Sequence, residues 1–139
     1  MSPRDTGTGR VLEAMILPAL TRGGYAYADG PQNIGKRLGG GAHYADVIAE
    51  KNSRRFIVSL KWQQVSGTAE QKVPFEVLCL ADAIATGGFE KAYLVLGGEG
   101  WKLRAFFTGG GLHKYLVHAD AVEILTLEAF VARANQAKL

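Results

Sequence analysis

Apolar and polar residues alternate along one segment near the middle of the chain, residues 55–63. Alternate side chains of a strand share a face. One face is typical of a core, with Phe56, Val58, Leu60 and Trp62, and the other carries Ile57, Ser59, Lys61 and Gln63. Burying the ammonium of Lys61 would be costly unless it is paired with an opposite charge, so packing of a core does not explain this lysine. Lys61 is therefore a candidate site residue, with a solvated strand lysine as the alternative.

A second apolar segment, Val47-Ile48-Ala49, precedes this strand and is opened by Asp46. The polar residues 50–54 between the two segments predict a turn, and two strands joined by a turn form a hairpin. We expect this hairpin to set Asp46 beside Lys61. The alternative for Asp46 is a cap at the end of its strand.

Helical spacing, glycines and prolines predict the remaining elements. The predicted helices are 9–20, which Pro18 should disturb or end, 69–85 and 127–137, with short helical turns at 102–107 and 112–116. The predicted strands are 25–27, 45–50, 55–63, 92–96 and 122–125, and residues 29–41 are predicted to be a loop. This order predicts an α/β fold with a mixed sheet flanked by helices. Strand 92–96 should lie next to the strand of Lys61, with helices 9–20 and 69–85 packed on the sheet.

Length and composition predict a flexible tail, residues 1–8, followed by a single domain, residues 9–139. The single cysteine, Cys79, lies in an apolar helical pattern, which excludes a disulfide framework and predicts a buried side chain. The sequence contains neither a long apolar run nor the apolar core of a signal peptide, so we expect a cytoplasmic protein without a membrane segment. The net charge of +3 permits a polyanionic partner.

The combination of Asp46 with Ser59-Leu60-Lys61 resembles the PD-(D/E)XK nuclease superfamily, whose pattern is an Asp, a gap, and then Glu/Asp-x-Lys. Asp46 and Lys61 match, whereas Ser59 stands where the second acid belongs. The segment 61–72 is similar to restriction endonucleases whose second acid has moved to the following helix. The resemblance covers roughly residues 9–125 and implies a restriction-endonuclease-like αβββαβ core.

The resemblance also implies a metal-dependent nuclease that hydrolyses DNA with Mg²⁺ or Mn²⁺. Asp46, Glu70 and the Leu60 carbonyl would hold the metal, and Lys61 would assist the attacking water. A helix-capping role is the alternative for Glu70. Gln63 would bind phosphate or a water, or simply take part in strand pairing, and Glu13 would support the metal site or face solvent. Glu50 and Glu76 are weaker candidates for the second acid, and we expect Glu76 to face solvent.

Three clusters of basic residues and one histidine are predicted to contact DNA, with a solvated surface residue or, for the histidine, a structural role as the alternative. These residues are Lys36, Arg37, His43, Lys51, Arg54, Arg55, Lys102 and Arg104. The small format resembles phage or DNA-repair nucleases and junction resolvases, which implies a homodimer. The competing hypothesis is a catalytically inactive nuclease fold that binds DNA or acts as a scaffold, because Ser59 has replaced an acid.

Overall fold

A computed structural model describes residues 8–139 of the chain. The first helix, α1, consists of three consecutive segments, Thr8–Val11, Leu12–Ile16 and Leu17–Arg22. The other helices are α2 (Ala69–Gly87), α3 (Arg104–Thr108) and α4 (Leu127–Asn135), with 3₁₀ turns at Gly111–Lys114 and Ala119–Ala121. The strands are β1 (Gln32–Lys36), β2 (Ala42–Ala45), β3 (Val47–Lys51), β4 (Arg54–Trp62), β5 (Lys91–Gly97) and β6 (Val122–Thr126).

Helix α1 contains a π-helical turn over Leu12–Ile16. There the Leu17 N–H donates to the carbonyl of Leu12, one residue further back than in a regular α-helix. Pro18 has no N–H to donate and its ring crowds the preceding turn, so a widened turn immediately before it relieves the conflict. The disturbance predicted at Pro18 is therefore a bulge, and the helix continues to Arg22.

Strands β3, β4, β5 and β6 form one mixed sheet in that order. Strand β3 is antiparallel to β4, whereas β4, β5 and β6 are parallel to one another. Lys61 is in register with Leu96 of β5, which confirms that the strand predicted at 92–96 lies beside the strand of Lys61. The predicted α/β class, a mixed sheet flanked by helices, is confirmed.

The hairpin of β3 and β4 turns through Asn52 and Ser53, both with positive φ (55° and 65°). Two successive residues with positive φ match the twist that a two-residue hairpin requires. The turn is tighter than predicted, because Glu50 and Lys51 still belong to β3.

Both faces of the sheet are buried. On one face Ile57 and Leu94 pack with residues of α2, and on the other Val58 and Val95 pack with residues of α1 and α4. The alternation predicted along β4 thus separates two cores, and the predicted packing of the helices on the sheet is confirmed. Cys79 is buried, as predicted.

Two predictions about the N-terminal half were wrong in detail. Residues 29–41 are not a continuous loop, because Gln32–Lys36 forms β1 and pairs antiparallel with β2 in a separate two-stranded sheet. The strand predicted at 25–27 is reduced to one isolated bridge between Ala26 and Glu50. The predicted tail lies outside the described residues except for Thr8, which begins α1. In the part of the chain described, no helix is long and apolar enough to cross a membrane.

Candidate active site

Asp46 lies where the chain passes from the two-stranded sheet into the four-stranded sheet, between the end of β2 and the start of β3. Its Oδ2 accepts a hydrogen bond from the backbone N–H of Leu60, at 2.7 Å. The Gln63 N–H donates to Gly97 on the β5 side of the strand, so the Leu60 N–H, three residues earlier, points to the β3 side. The Asp46 carboxylate takes the place of a backbone acceptor on a neighbouring strand for the Leu60 N–H. This hydrogen bond holds the carboxylate against the Ser59–Lys61 segment.

Glu76 lies beside Ser59. It comes from the interior of α2 and is only 2% exposed, so the expectation that it faces solvent was wrong. The hydroxyl of Ser59 donates to Glu76 Oε2 at 3.4 Å, and His43 Nε2 donates to the same oxygen at 3.0 Å. Arg37 Nη1 donates to Oε1 at 2.6 Å. A carboxylate from the helix thus reaches the strand position where the acid of the pattern is missing.

The environment of Glu76 favours its ionised form. Burial raises the pKa of the carboxyl, but the hydrogen bond from His43, the charge of Lys61 and the hydrogen bond and charge of Arg37 outweigh it and lower the pKa from 4.5 to about 2. Lys61 is half-buried near the end of β4. The attraction between Lys61 and Glu76 indicates that the two charges lie near the same region of β4.

Glu13 of α1 shares a cavity with Asp46. Both residues line a cavity of about 120 Å³ between α1, the loop after it and the start of β3. Glu13 is exposed and lies in the π-helical turn of α1, and turns of this kind are frequent at functional sites. The structure therefore places Glu13 and Asp46 at one cavity, while the exposure of Glu13 also agrees with the alternative of a solvent-facing residue. Its role at a metal site stays a prediction.

Glu70 and Gln63 lie further along the sheet and contact backbone groups. Glu70 Oε1 accepts from the N–H of Leu103 at 2.5 Å. Gln63 donates to the carbonyl of Gly100 at 2.8 Å and accepts from the N–H of Ala69 at 3.1 Å. These contacts lie near Gln63. Gln63 is four residues after Ser59, which corresponds to roughly 13 Å along an extended chain. Their geometry favours a role in tying the loop after β5 to the start of α2.

The basic residues predicted to bind DNA do not form a single surface. Lys51 Nζ donates to the carbonyl of Gly23 at 2.6 Å, and the guanidinium of Arg55 stacks on Phe89 at 4.3 Å. With exposed Arg54 they lie at the hairpin end of β4, about 20 Å along the strand from Lys61.

The remaining predicted DNA contacts lie in two places. Arg37 and buried His43 bind Glu76 from the β1–β2 hairpin, and Lys36 is exposed on that hairpin. Lys102 is exposed and Arg104 is half-buried after β5. No contact with DNA is part of this geometry, so the DNA-binding roles stay predictions.

The donor set fits a hard divalent cation with few protein ligands. Within residues 8–139, no cluster of three or more histidine, cysteine or acidic side chains is arranged to hold a metal. Mg²⁺, however, is commonly held by one or two carboxylates and several waters. Asp46 and Glu13, which line one cavity, are carboxylates of the kind that such a cation takes as ligands.

A signal for Glu76 was present in the sequence. Val73, Val77 and Leu80 form the apolar stripe of α2 that packs on the sheet. Glu76 follows Val73 by three residues and precedes Leu80 by four, so it belongs to the same helix face. The position of Glu76 on this apolar face indicates that its carboxylate is directed towards the sheet, whereas its distance in sequence from Ser59 does not.

The model of the PD-(D/E)XK nuclease superfamily domain matches residues 4–138 of this chain. Among solved structures, the chain is similar to the crystal structure of a protein of unknown function, AF1548, with 10% sequence identity and a TM-score of 0.49. The alignment covers 80% of this chain and 54% of the other, so the chain spans about half the length of that structure. No curated protein matches. The family match includes every residue gathered around Asp46 and Glu76.

Proposed function

We propose that this chain, which belongs to the PD-(D/E)XK nuclease superfamily, is a metal-dependent nuclease that hydrolyses phosphodiester bonds of DNA. The observation that carries the proposal is the approach of the Glu76 carboxylate to Ser59, beside Lys61 and the Leu60–Asp46 hydrogen bond. It supplies the acid that the strand lacks. Glu76 therefore replaces Glu70 as our candidate for the relocated second acid.

Each residue has a role that follows from its surroundings. Asp46, oriented by the Leu60 N–H, and Glu76, held by Arg37 and His43, would hold the metal, and Glu13 would add a carboxylate at the cavity beside Asp46. The chemistry that a bound divalent cation supplies is polarisation of the phosphoryl oxygen and a lowered pKa for the attacking water. The ammonium of Lys61 would offset the charge that grows on the phosphate oxygens.

Cleavage assays with matched carboxamide variants test the assignment of the acids. Purified protein is incubated with single-stranded, duplex and junction DNA in Mg²⁺, Mn²⁺ or EDTA. We expect Asp46→Asn and Glu76→Gln to lose about 100-fold or more of the metal-dependent rate, as loss of a charge-stabilising group does at other active sites. Glu70→Gln should retain activity. Full activity of Glu76→Gln together with an inactive, folded Glu70→Gln would reverse the assignment.

Lys61→Met tests the third role. It keeps the length of the side chain and removes its charge, so it should bind DNA but not cleave it. Binding should also weaken steeply as salt rises, because lysines and arginines that contact phosphates displace counterions. Cleavage by Lys61→Met at the wild-type rate would show that the charge of this lysine takes no part in the chemistry.

A non-catalytic DNA-binding domain is the second candidate. One observation favours it: both oxygens of Glu76 already accept hydrogen bonds from protein groups, which is also what a structural ion pair requires. Under this alternative the wild-type protein retards DNA in a gel but cleaves none of the substrates with either metal. Cleavage that EDTA abolishes and Asp46→Asn removes would eliminate this alternative.

A further inference from the structure

A tryptophan stands open to solvent immediately after the candidate catalytic lysine. Trp62 is the last residue of β4 and is 36% exposed. Its ring is held on one side by Gly97, where an added Cβ would come within 2.7 Å of Trp62 Cε3. The glycine lets the ring lie directly on the backbone of β5. A large ring that is fixed by backbone and still exposed is suited to contact a ligand.

The tryptophan borders a cavity of about 380 Å³, which we call the Trp62 cavity. Its walls are the carboxyl ends of the parallel strands β4, β5 and β6, represented by Trp62, Gly98 and Thr126, and the first residues of α4. In open α/β sheets, ligands bind outside the carboxyl ends of parallel strands. The volume lies at the lower end of the range for small-ligand sites.

The charged groups of the cavity are two carboxylates and one guanidinium, those of Glu99, Glu128 and Arg104. Arg104 donates to the carbonyl of Gly98 at 3.2 Å, which holds it at the wall. Neither Glu99 nor Glu128, both exposed, has an ion-pair partner within the described part of the chain. An excess of acceptors disfavours a phosphate and favours a flat, uncharged group that donates hydrogen bonds.

We propose that the Trp62 cavity binds one unpaired nucleobase that carries an exocyclic amino group, on the DNA strand engaged by the nuclease site. The base would stack on the Trp62 ring, as bases do on exposed aromatic side chains of single-strand-binding proteins. Its amino group would donate to Glu99 or Glu128, since carboxylates accept from the amino group of cytosine. The proposal rests on the proposed function, because it needs a DNA substrate. Trp62 follows Lys61 at the end of β4, on the opposite face of the strand and about 10 Å along it from Ser59.

Fluorescence gives a direct reading of the stacking. The chain has two tryptophans, and the other, Trp101, is buried with its indole N–H donating to the Gly97 carbonyl at 2.8 Å. In EDTA, which prevents cleavage, short oligodeoxycytidine should quench the emission of the wild-type protein. Trp62→Phe retains Trp101 alone, and its emission should not respond. Unchanged emission of the wild-type protein at saturating oligonucleotide would overturn the proposal.

Affinity measurements by fluorescence anisotropy of labelled oligonucleotide provide the second test. Trp62→Ala should weaken binding by about 5- to 150-fold, the effect of removing a stacking platform worth ~1–3 kcal/mol at 1.36 kcal/mol per tenfold. Trp62→Phe should lose less, because it keeps a ring. Tyr115→Ala removes an aromatic side chain that is 72% exposed and outside the cavity, and it should bind like wild type.

Base preference tests the carboxylates separately. Oligodeoxycytidine should bind about fivefold or more tightly than oligodeoxyuridine, which has a carbonyl in place of the amino group and an N3–H in place of the N3 acceptor. Glu99→Gln combined with Glu128→Gln should reduce that preference, and both positions are exposed, so the fold is not at risk. Equal affinity of the wild-type protein for the two oligonucleotides would refute the role of the carboxylates.

The two proposals fail in different ways. Binding of oligonucleotide by wild type and Trp62→Ala with equal affinity would refute the cavity and leave the nuclease proposal intact. The same conclusion would follow if Asp46→Asn lost cleavage while Trp62→Ala cleaved at the wild-type rate and kept the wild-type preference for oligodeoxycytidine over oligodeoxyuridine. No binding of any oligonucleotide at low salt, together with no cleavage, would overturn both.

Discussion

Neutralising Glu76 tests whether its buried carboxylate stabilises the fold as strongly as its surroundings indicate. A pKa that falls from 4.5 to about 2 on folding corresponds to roughly 3 kcal/mol of stability at neutral pH. Gln has the shape of the protonated acid and lacks the charge. Glu76→Gln should therefore be destabilised by about the same 3 kcal/mol at pH 7, a large part of the stability of a small domain.

The pH dependence identifies Glu76 as the source of this difference. Because folding lowers the pKa, the stabilisation is complete above the pKa of the unfolded chain, near 4.5, and is lost as the pH falls towards 2. The difference in unfolding free energy between wild type and Glu76→Gln should be constant from pH 7 to about 5. It should shrink below pH 4.5 and approach zero as the pH falls to about 2 and below, because wild-type Glu76 then takes up its proton.

Urea unfolding in EDTA, followed by circular dichroism, measures the difference without a contribution from bound metal. For an m-value of ~1.5 kcal/mol/M, the midpoint at pH 7 should fall by about 2 M. Glu70→Gln is the matched control, because it keeps an oxygen that accepts from the Leu103 N–H and has no cationic partner among residues 8–139. Parallel pH profiles of wild type and Glu76→Gln between pH 5 and 3 would refute the reasoning.

Two further predictions use the same unfolding assay. Asp46→Ala should lose about 1 kcal/mol, because the Leu60 N–H loses its acceptor, whereas Asp46→Asn keeps an acceptor and should lose less than half of that; equal losses would show that the hydrogen bond does not stabilise the fold. Gly100→Ala should lose about 2 kcal/mol or more, because the new Cβ would overlap the backbone of Val65. Gly41→Ala meets nothing within 4 Å and should change little, so equal effects of the two alanines would contradict the steric argument.

The sheet and its order could be predicted because the deciding signals are local. Alternate residues of β4 belong to two different buried faces of the sheet. The period of two that identifies a strand can therefore still be read in the sequence. The near-continuous apolar run of β5 predicted that this strand lies in the interior of the sheet, with both faces covered. In contrast, β1 has a single buried apolar residue, Ile34, among polar neighbours. Such a strand is formed by pairing with β2, a non-local interaction that composition does not reveal.

The candidate site was predictable on the strand and less so on the helix. Asp46 and the Ser59–Lys61 segment belong to one hairpin, so their proximity follows from a short turn. Glu76 depends on how α2 crosses the sheet. Glu70, in the first turn of that helix, was predicted to be the second acid because it is close to Lys61 in sequence, but its carboxylate accepts a hydrogen bond from the backbone N–H of Leu103.

The geometry of α2 and β4 explains why the carboxylate of Glu76, and not that of Glu70, reaches Ser59. The Gln63–Ala69 hydrogen bond fixes the start of the helix beside the end of β4. From that anchor, the return to Ser59 is four strand residues, roughly 13 Å, while a helix advances about 1.5 Å per residue. Seven helix residues, from Ala69 to Glu76, cover about 10.5 Å, and the length of a glutamate side chain supplies the remainder. Glu70, one residue after the anchor, would have to span nearly the whole distance with its side chain. A carboxylate that replaces a strand acid at Ser59 must therefore come from the third turn of α2, on the face of Val73 and Val77.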